Sequence, residues 1–190
     1  MSRSLRRTSS ATAFAMLLTL MLAPAASAQD SGTAVEVAEP TNDTAGFEEA
    51  MVGQWVGGGE VIPNLSEERP YTVKCEFTSE AEDGAFDLDG ECGVLFIKRG
   101  ITVSLQRDGD TVTGTYDANL RTGLATLTGD YHPDSMDLNI TWGGDVNGDT
   151  EAAMRIERAD ADTLRIMVTD VDPATNEDVV TSDLTLTREG

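Results

Sequence analysis

Apolar and polar residues alternate along most of the chain after residue 55. In "SMDLNITW" Met136, Leu138, Ile140 and Trp142 share one side, and Asp137, Asn139 and Thr141 the other. "GITVSLQ", "DTLRIMV", "AAMRIE" and "TVTGTY" repeat the pattern around Val103, Ile166, Ile156 and Tyr116. A period of two is the signature of strands buried on one face. Turn-forming clusters separate the runs: "AEDG", "RDGD", "RTG", "HPDS", "DVNGD", "RADAD" and "DPATNED". The spacing predicts eight to ten antiparallel strands with no intervening helical segment. So many strands with one apolar face must close or stack. Short successive hairpins favour an up-and-down β-barrel, with a β-sandwich as the alternative. The expected interior comprises Trp55, Phe77, Phe86, Val103, Tyr116, Leu138, Trp142, Ile156, Ile166 and Leu186.

The cysteines fit this scheme. Cys75 shares parity with Tyr71, Val73 and Phe77, and Cys92 with Phe86 and Leu88. Both sulfurs therefore fall on the apolar face of neighbouring strands, and a cross-strand disulfide between the second and third strands is expected.

The N-terminal region has a different character. Arg3, Arg6 and Arg7 precede the apolar run "AFAMLLTLML" and the small residues "ASA" at 26–28. This is the layout of a secretory signal peptide, residues 1–28, cleaved after Ala28. Export to the periplasm or the medium favours pairing of the cysteines. Residues 29–46 lack bulky apolar groups and read as an acidic linker, and 47–190 as the barrel domain, opening on a helical turn in "FEEAMV".

Removing the three signal-peptide arginines leaves ten basic residues against 34 acidic ones, a net charge near −24. That charge opposes binding to nucleic acid or to anionic membranes. A membrane-spanning barrel would face its apolar side outward between aromatic girdles. With ten Phe, Trp and Tyr residues in all and the ending "LTLTREG", the chain does not read as one.

Chemistry-bearing motifs are sparse. His132 is the sole histidine and precedes Pro133 in a turn signal. No serine or cysteine stands in a nucleophile motif, and no phosphate-cradling loop occurs. No catalytic residues, metal ligands or cofactor are expected. Asp145, Asn147, Asp149 and Glu151 in "DVNGDTE" match the first alternate positions of a calcium loop. Thr150 then stands where that loop needs glycine, and Ile156 where it needs an acid. Asn147-Gly148 is equally a hairpin turn. The acidic loop at 170–178 carries the same weaker calcium signal.

The stretch "MVGQWVGGGEV", residues 51–61, carries a family resemblance. Gly53-x-Trp55 at the first strand, after a possible helical turn, resembles the G-x-W signature of lipocalins and the wider calycin group. The resemblance implies that Trp55 plugs one end of a barrel and that a late basic residue, here Arg188, covers the indole. It also implies a cup for a small apolar ligand. The G-x-W-x-G-x-G opening and paired strand cysteines are similar to those of small exported bacterial proteins without a settled activity. Residues 112–131 look locally similar to biotin-binding avidins, but Ala118 replaces a polar contact and biotin binding is not carried over. Two functions follow as expectations: binding of a small apolar or amphipathic ligand, or docking of an envelope protein through an acidic face or an edge strand.

Overall fold

The computed structural model describes residues 46–67 and 69–190. The proposed signal peptide and all of the linker before Gly46 lie outside the described residues. A short helix α1 (Phe47–Ala50) is followed by ten strands: β1 (Gly53–Val61), β2 (Tyr71–Glu82), β3 (Ala85–Val94), β4 (Ile97–Asp108) and β5 (Thr111–Asp117). After these come β6 (Ala125–His132), β7 (Ser135–Val146), β8 (Asp149–Asp160), β9 (Thr163–Val171) and β10 (Asp178–Arg188). Each strand pairs antiparallel with its neighbours in sequence, and β10 returns to β1, closing an up-and-down barrel. The sandwich alternative is excluded by this closure. Every described strand has two partners, so the edge strand entertained as a docking element does not exist.

The alternation sorts the side chains as expected. Trp55, Phe86, Ile156 and Leu186 are fully buried, and Phe77, Val103, Leu138, Trp142 and Ile166 are buried around them. Tyr116 is half-buried and packs on this core. These groups form one continuous cluster inside the barrel. Cys75 and Cys92 stand directly opposite each other on β2 and β3 and form a disulfide.

The glycines of the opening stretch have a local cause. A Cβ added at Gly57 or Gly59 would run into the carbonyls of Thr185 and Asp183 on β10. The first and last strands meet along this stretch, and glycine lets them close the sheet where it bends.

Outside, the strands are tied by cross-strand ion pairs. Arg155 on β8 grips Asp137 on β7 with Nη1 at 2.5 and 2.8 Å from the two carboxylate oxygens. Arg165 on β9 makes a two-pronged contact with Asp183 on β10 at 2.9 and 2.8 Å, which holds the Asp183 carboxyl below its usual range. Opposite charges facing each other across antiparallel strands stabilise the pairing modestly.

Candidate functional site

The barrel has two unlike ends. At one, α1 lies across the opening. The Trp55 indole N–H donates to the Met51 carbonyl at 2.9 Å and to Ser79 Oγ at 3.0 Å, and the Ser79 hydroxyl donates to that same carbonyl. Arg188 lies with its guanidinium carbon 4.3 Å from the centre of the Trp55 ring. It donates to the carbonyls of Val52 and Ala50, the latter at 2.6 Å. A planar cation over an aromatic face, with its edge bonded to carbonyls, satisfies both its charge and its donors.

Sequence reasoning did not find the rest of this seal. Phe47 of α1 meets Tyr131 edge-on at 6.4 Å, and the Arg107 guanidinium carbon lies 4.2 Å from the centre of the Tyr131 ring. Arg107 also pairs with buried Glu48 at 2.7 Å. The available signal was parity: Arg107 continues the inward series Val103, Leu105, and Tyr131 that of Leu127 and Gly129. His132 is the half-exposed last residue of β6, paired with Ser135 of β7, with Nε2 3.2 Å from Asp137. That carboxylate is already gripped by Arg155, so His132 belongs to a surface ion cluster.

The opposite end is the rim. The loop between β1 and β2 folds back so that Leu65, in a 3₁₀ turn, is buried. Asn147 holds it there. Its Oδ1 accepts from the Leu65 N–H at 3.2 Å, and its Nδ2 donates to buried Asp170 at 2.9 Å. Burial raises the Asp170 carboxyl above its usual range.

The string Asp145 to Glu151 is thereby accounted for. Val146 pairs with Asp149 around Asn147 and Gly148, both at positive φ. Asp145 accepts the Gly148 N–H and Asp149 the Glu151 N–H, as such side chains do in turns. In the loop after β9, Asp172 likewise accepts the Ala174 N–H and the Thr175 hydroxyl. Among the described residues no three His, Cys, Asp or Glu side chains are grouped to hold a metal ion.

Below the rim, Tyr116 and Trp142 pack with ring centres 5.7 Å apart. Burial pushes the Tyr116 hydroxyl up to about 12, with the charge of Arg99 acting in the opposite sense. The Trp142 indole N–H and the Thr122 hydroxyl are buried without a hydrogen-bond partner.

The most exposed apolar feature among the described residues is also on the rim. β3 and β4 are joined at Leu95-Phe96, with Val94 paired to Ile97. Leu95, Phe96 and Ile97 are 87%, 97% and 81% exposed. No Gly, Asn, Asp or Pro marks this turn, and sequence reasoning passed over it for that reason. A cleft of about 260 Å³ on its flank is lined by Lys74, Glu76, Glu91, Gly93, Leu95 and Lys98. A second cleft of about 360 Å³ lies beside α1 and Arg107, on the outside of the sealed end.

No protein-family profile matches the chain, and comparison with curated proteins finds no relative. The functional reading therefore rests on the barrel and its rim. Among the described residues no helix is long and apolar enough to cross a membrane.

Proposed function

We propose that the protein is an exported, non-catalytic docking module of the cell envelope that works from its rim. The observation that carries this reading is the hairpin at 94–97, whose large apolar side chains stand in solvent although the fold has a full core to bury them in. Contiguous exposed apolar groups on a folded protein mark sites of association. The closed sheet offers no edge to pair with, and the interior is occupied by the protein's own side chains. Both facts favour a contact made by the protruding tip over one made by a strand or a cup. The signal-peptide layout supports a periplasmic or secreted location. The pairing of Trp55 with Arg188 supports kinship with calycin barrels, here with ten strands.

The test is a photo-crosslinking residue at position 96 in cells, with one at Thr113 on the exposed outer face of β5 as control. Adducts specific to position 96 are expected. Equal crosslinking at the two positions, or no adduct of either protein or lipid at position 96, removes the reading.

A second reading has its own observation. The unpartnered indole N–H of Trp142, which packs on Tyr116, and the Thr122 hydroxyl, from the segment against Gly143 and Gly144, suit a small amphipathic molecule lodged in the mouth, with a polar atom to accept from the indole. Native mass spectrometry of protein from its own host shows such a molecule if it is carried. Repeatedly empty protein counts against it.

A further inference from the structure

We propose that the occupant of the 94–97 hairpin is an anionic lipid surface, into which Leu95, Phe96 and Ile97 insert while nearby cations meet the headgroups. This rests on the docking reading above and names its partner.

The first argument is backbone conformation. Leu95 has φ of 54°. The other non-glycine residues at positive φ are Asp83, Asn119, Asn147 and Asn176, types whose short polar side chains tolerate that region. A leucine there is strained, and such strain concentrates at functional positions. An asparagine would serve the turn better. What leucine adds is an apolar group at the apex of a convex protrusion.

The second argument is the distribution of cations. Towards the sealed end Arg107, Arg155, Arg158, Arg165 and Arg188 all face carboxylates within ion-pair distance. Lys74, Arg99 and Arg121 have no carboxylate partner among the described residues, nor has Arg69, which lies over the Tyr71 ring, and all four lie towards the rim. Lys98 and Arg99 directly follow the apolar tip, and Lys74 lines the cleft beside Leu95. Arg121 and the half-exposed Leu124 come from the neighbouring loop, which Asn119 ties to the Gly100 carbonyl at 3.1 Å. In this sector Lys98 engages Glu91.

The acidic rim loops, between β7 and β8 and between β9 and β10, lie across the barrel from this hairpin. Among the described residues the charge is thus polarised around the rim, with Lys74, Arg99 and Arg121 on the side of the apolar hairpin. Apolar insertion flanked by lysine and arginine is the pattern of peripheral attachment to acidic bilayers.

The experiment uses the exported protein with flotation on two kinds of vesicle: phosphatidylcholine alone, and phosphatidylcholine mixed with phosphatidylglycerol. Binding to the mixed vesicles is expected, weakening as salt screens the headgroups. Phe96→Trp adds a probe to a protein whose own Trp55 and Trp142 are buried. Its emission shifts to the blue on binding if the tip inserts. Phe96→Ser lowers partitioning about tenfold or more, the loss expected for one large apolar side chain. Lys98→Glu with Arg99→Glu removes the preference for the anionic vesicles. The melting temperature of each variant shows that it is folded.

No flotation with either vesicle, or equal flotation with both and no effect of charge reversal, overturns the lipid assignment. Protein adducts at position 96 in cells together with that result leave the docking reading standing and identify a protein partner. Absence of both sinks the docking reading as well.

Discussion

The guanidinium of Arg188 stacks on the indole of Trp55 directly across the seam where the last strand meets the first. One side chain thereby holds β10, β1 and α1 together, through the ring and the carbonyls of Val52 and Ala50. Arg188→Ala leaves two carbonyls and a ring face unmatched. A loss of about 2–3 kcal/mol is expected in urea unfolding. Arg188→Lys restores the charge without the planar fork and recovers part of it. A loss below the error of the measurement in Arg188→Ala would show that the seam is held by strand pairing alone.

The disulfide closes a loop spanning 17 positions between paired strands. Replacing Cys75 and Cys92 together by serine is expected to cost about 3 kcal/mol on the chain-entropy view. The cross-strand pairs around them keep the same fold. Unfolding of the intact protein with and without a reducing agent gives an independent value, and the two should agree.

Tyr116 links stability to alkaline pH. Its folded hydroxyl titrates at about 12 because burial disfavours the phenolate, whereas an unfolded tyrosine titrates near 10. Below pH 10 both states keep the proton and this group adds no pH dependence. Between 10 and 12 the unfolded state loses its proton first, so stability falls as pH rises, by up to about 2 kcal/mol. Tyr116→Phe should remove that slope and delete the highest step in the tyrosinate absorbance titration.

Leu95 separates stability from docking. Leu95→Asn relieves the left-handed backbone at little packing cost, since the side chain is exposed. A gain of about 1 kcal/mol, or roughly 3 °C in melting temperature, is expected. The same variant should bind its partner less well. A stabilised protein with undiminished docking would mean that the turn residue has no role at the interface.

The parts read correctly from sequence and those missed differ for a physical reason. Period-two alternation reports burial, so the strands, the inward set and the facing cysteines were visible as parity. Turn residues report positive φ, which located the hairpins at Asp83-Gly84 and Asn147-Gly148. The hairpin at Leu95-Phe96 uses neither code, because its backbone is strained and its side chains are not buried. Sequence rules fail where a local preference has been overridden, and such places are often functional. The polar bolts were hidden differently. Nothing in local pattern announces that Asn147 will bridge Leu65 and Asp170, or that Arg107 will join Glu48 to Tyr131, because these contacts join distant segments.

Closure of the sheet between β1 and β10 brings Gly46 and the C-terminal residues to the same pole, the one sealed by Trp55. The chain therefore enters and leaves the domain at the face farthest from the 94–97 hairpin. A tether, fluorophore or affinity tag joined directly before Gly46 or directly after Glu189 attaches at the rear of the barrel. Immobilised by such a handle, the protein would present its rim outward, and a surface coated with it would be a uniformly oriented array of apolar tips.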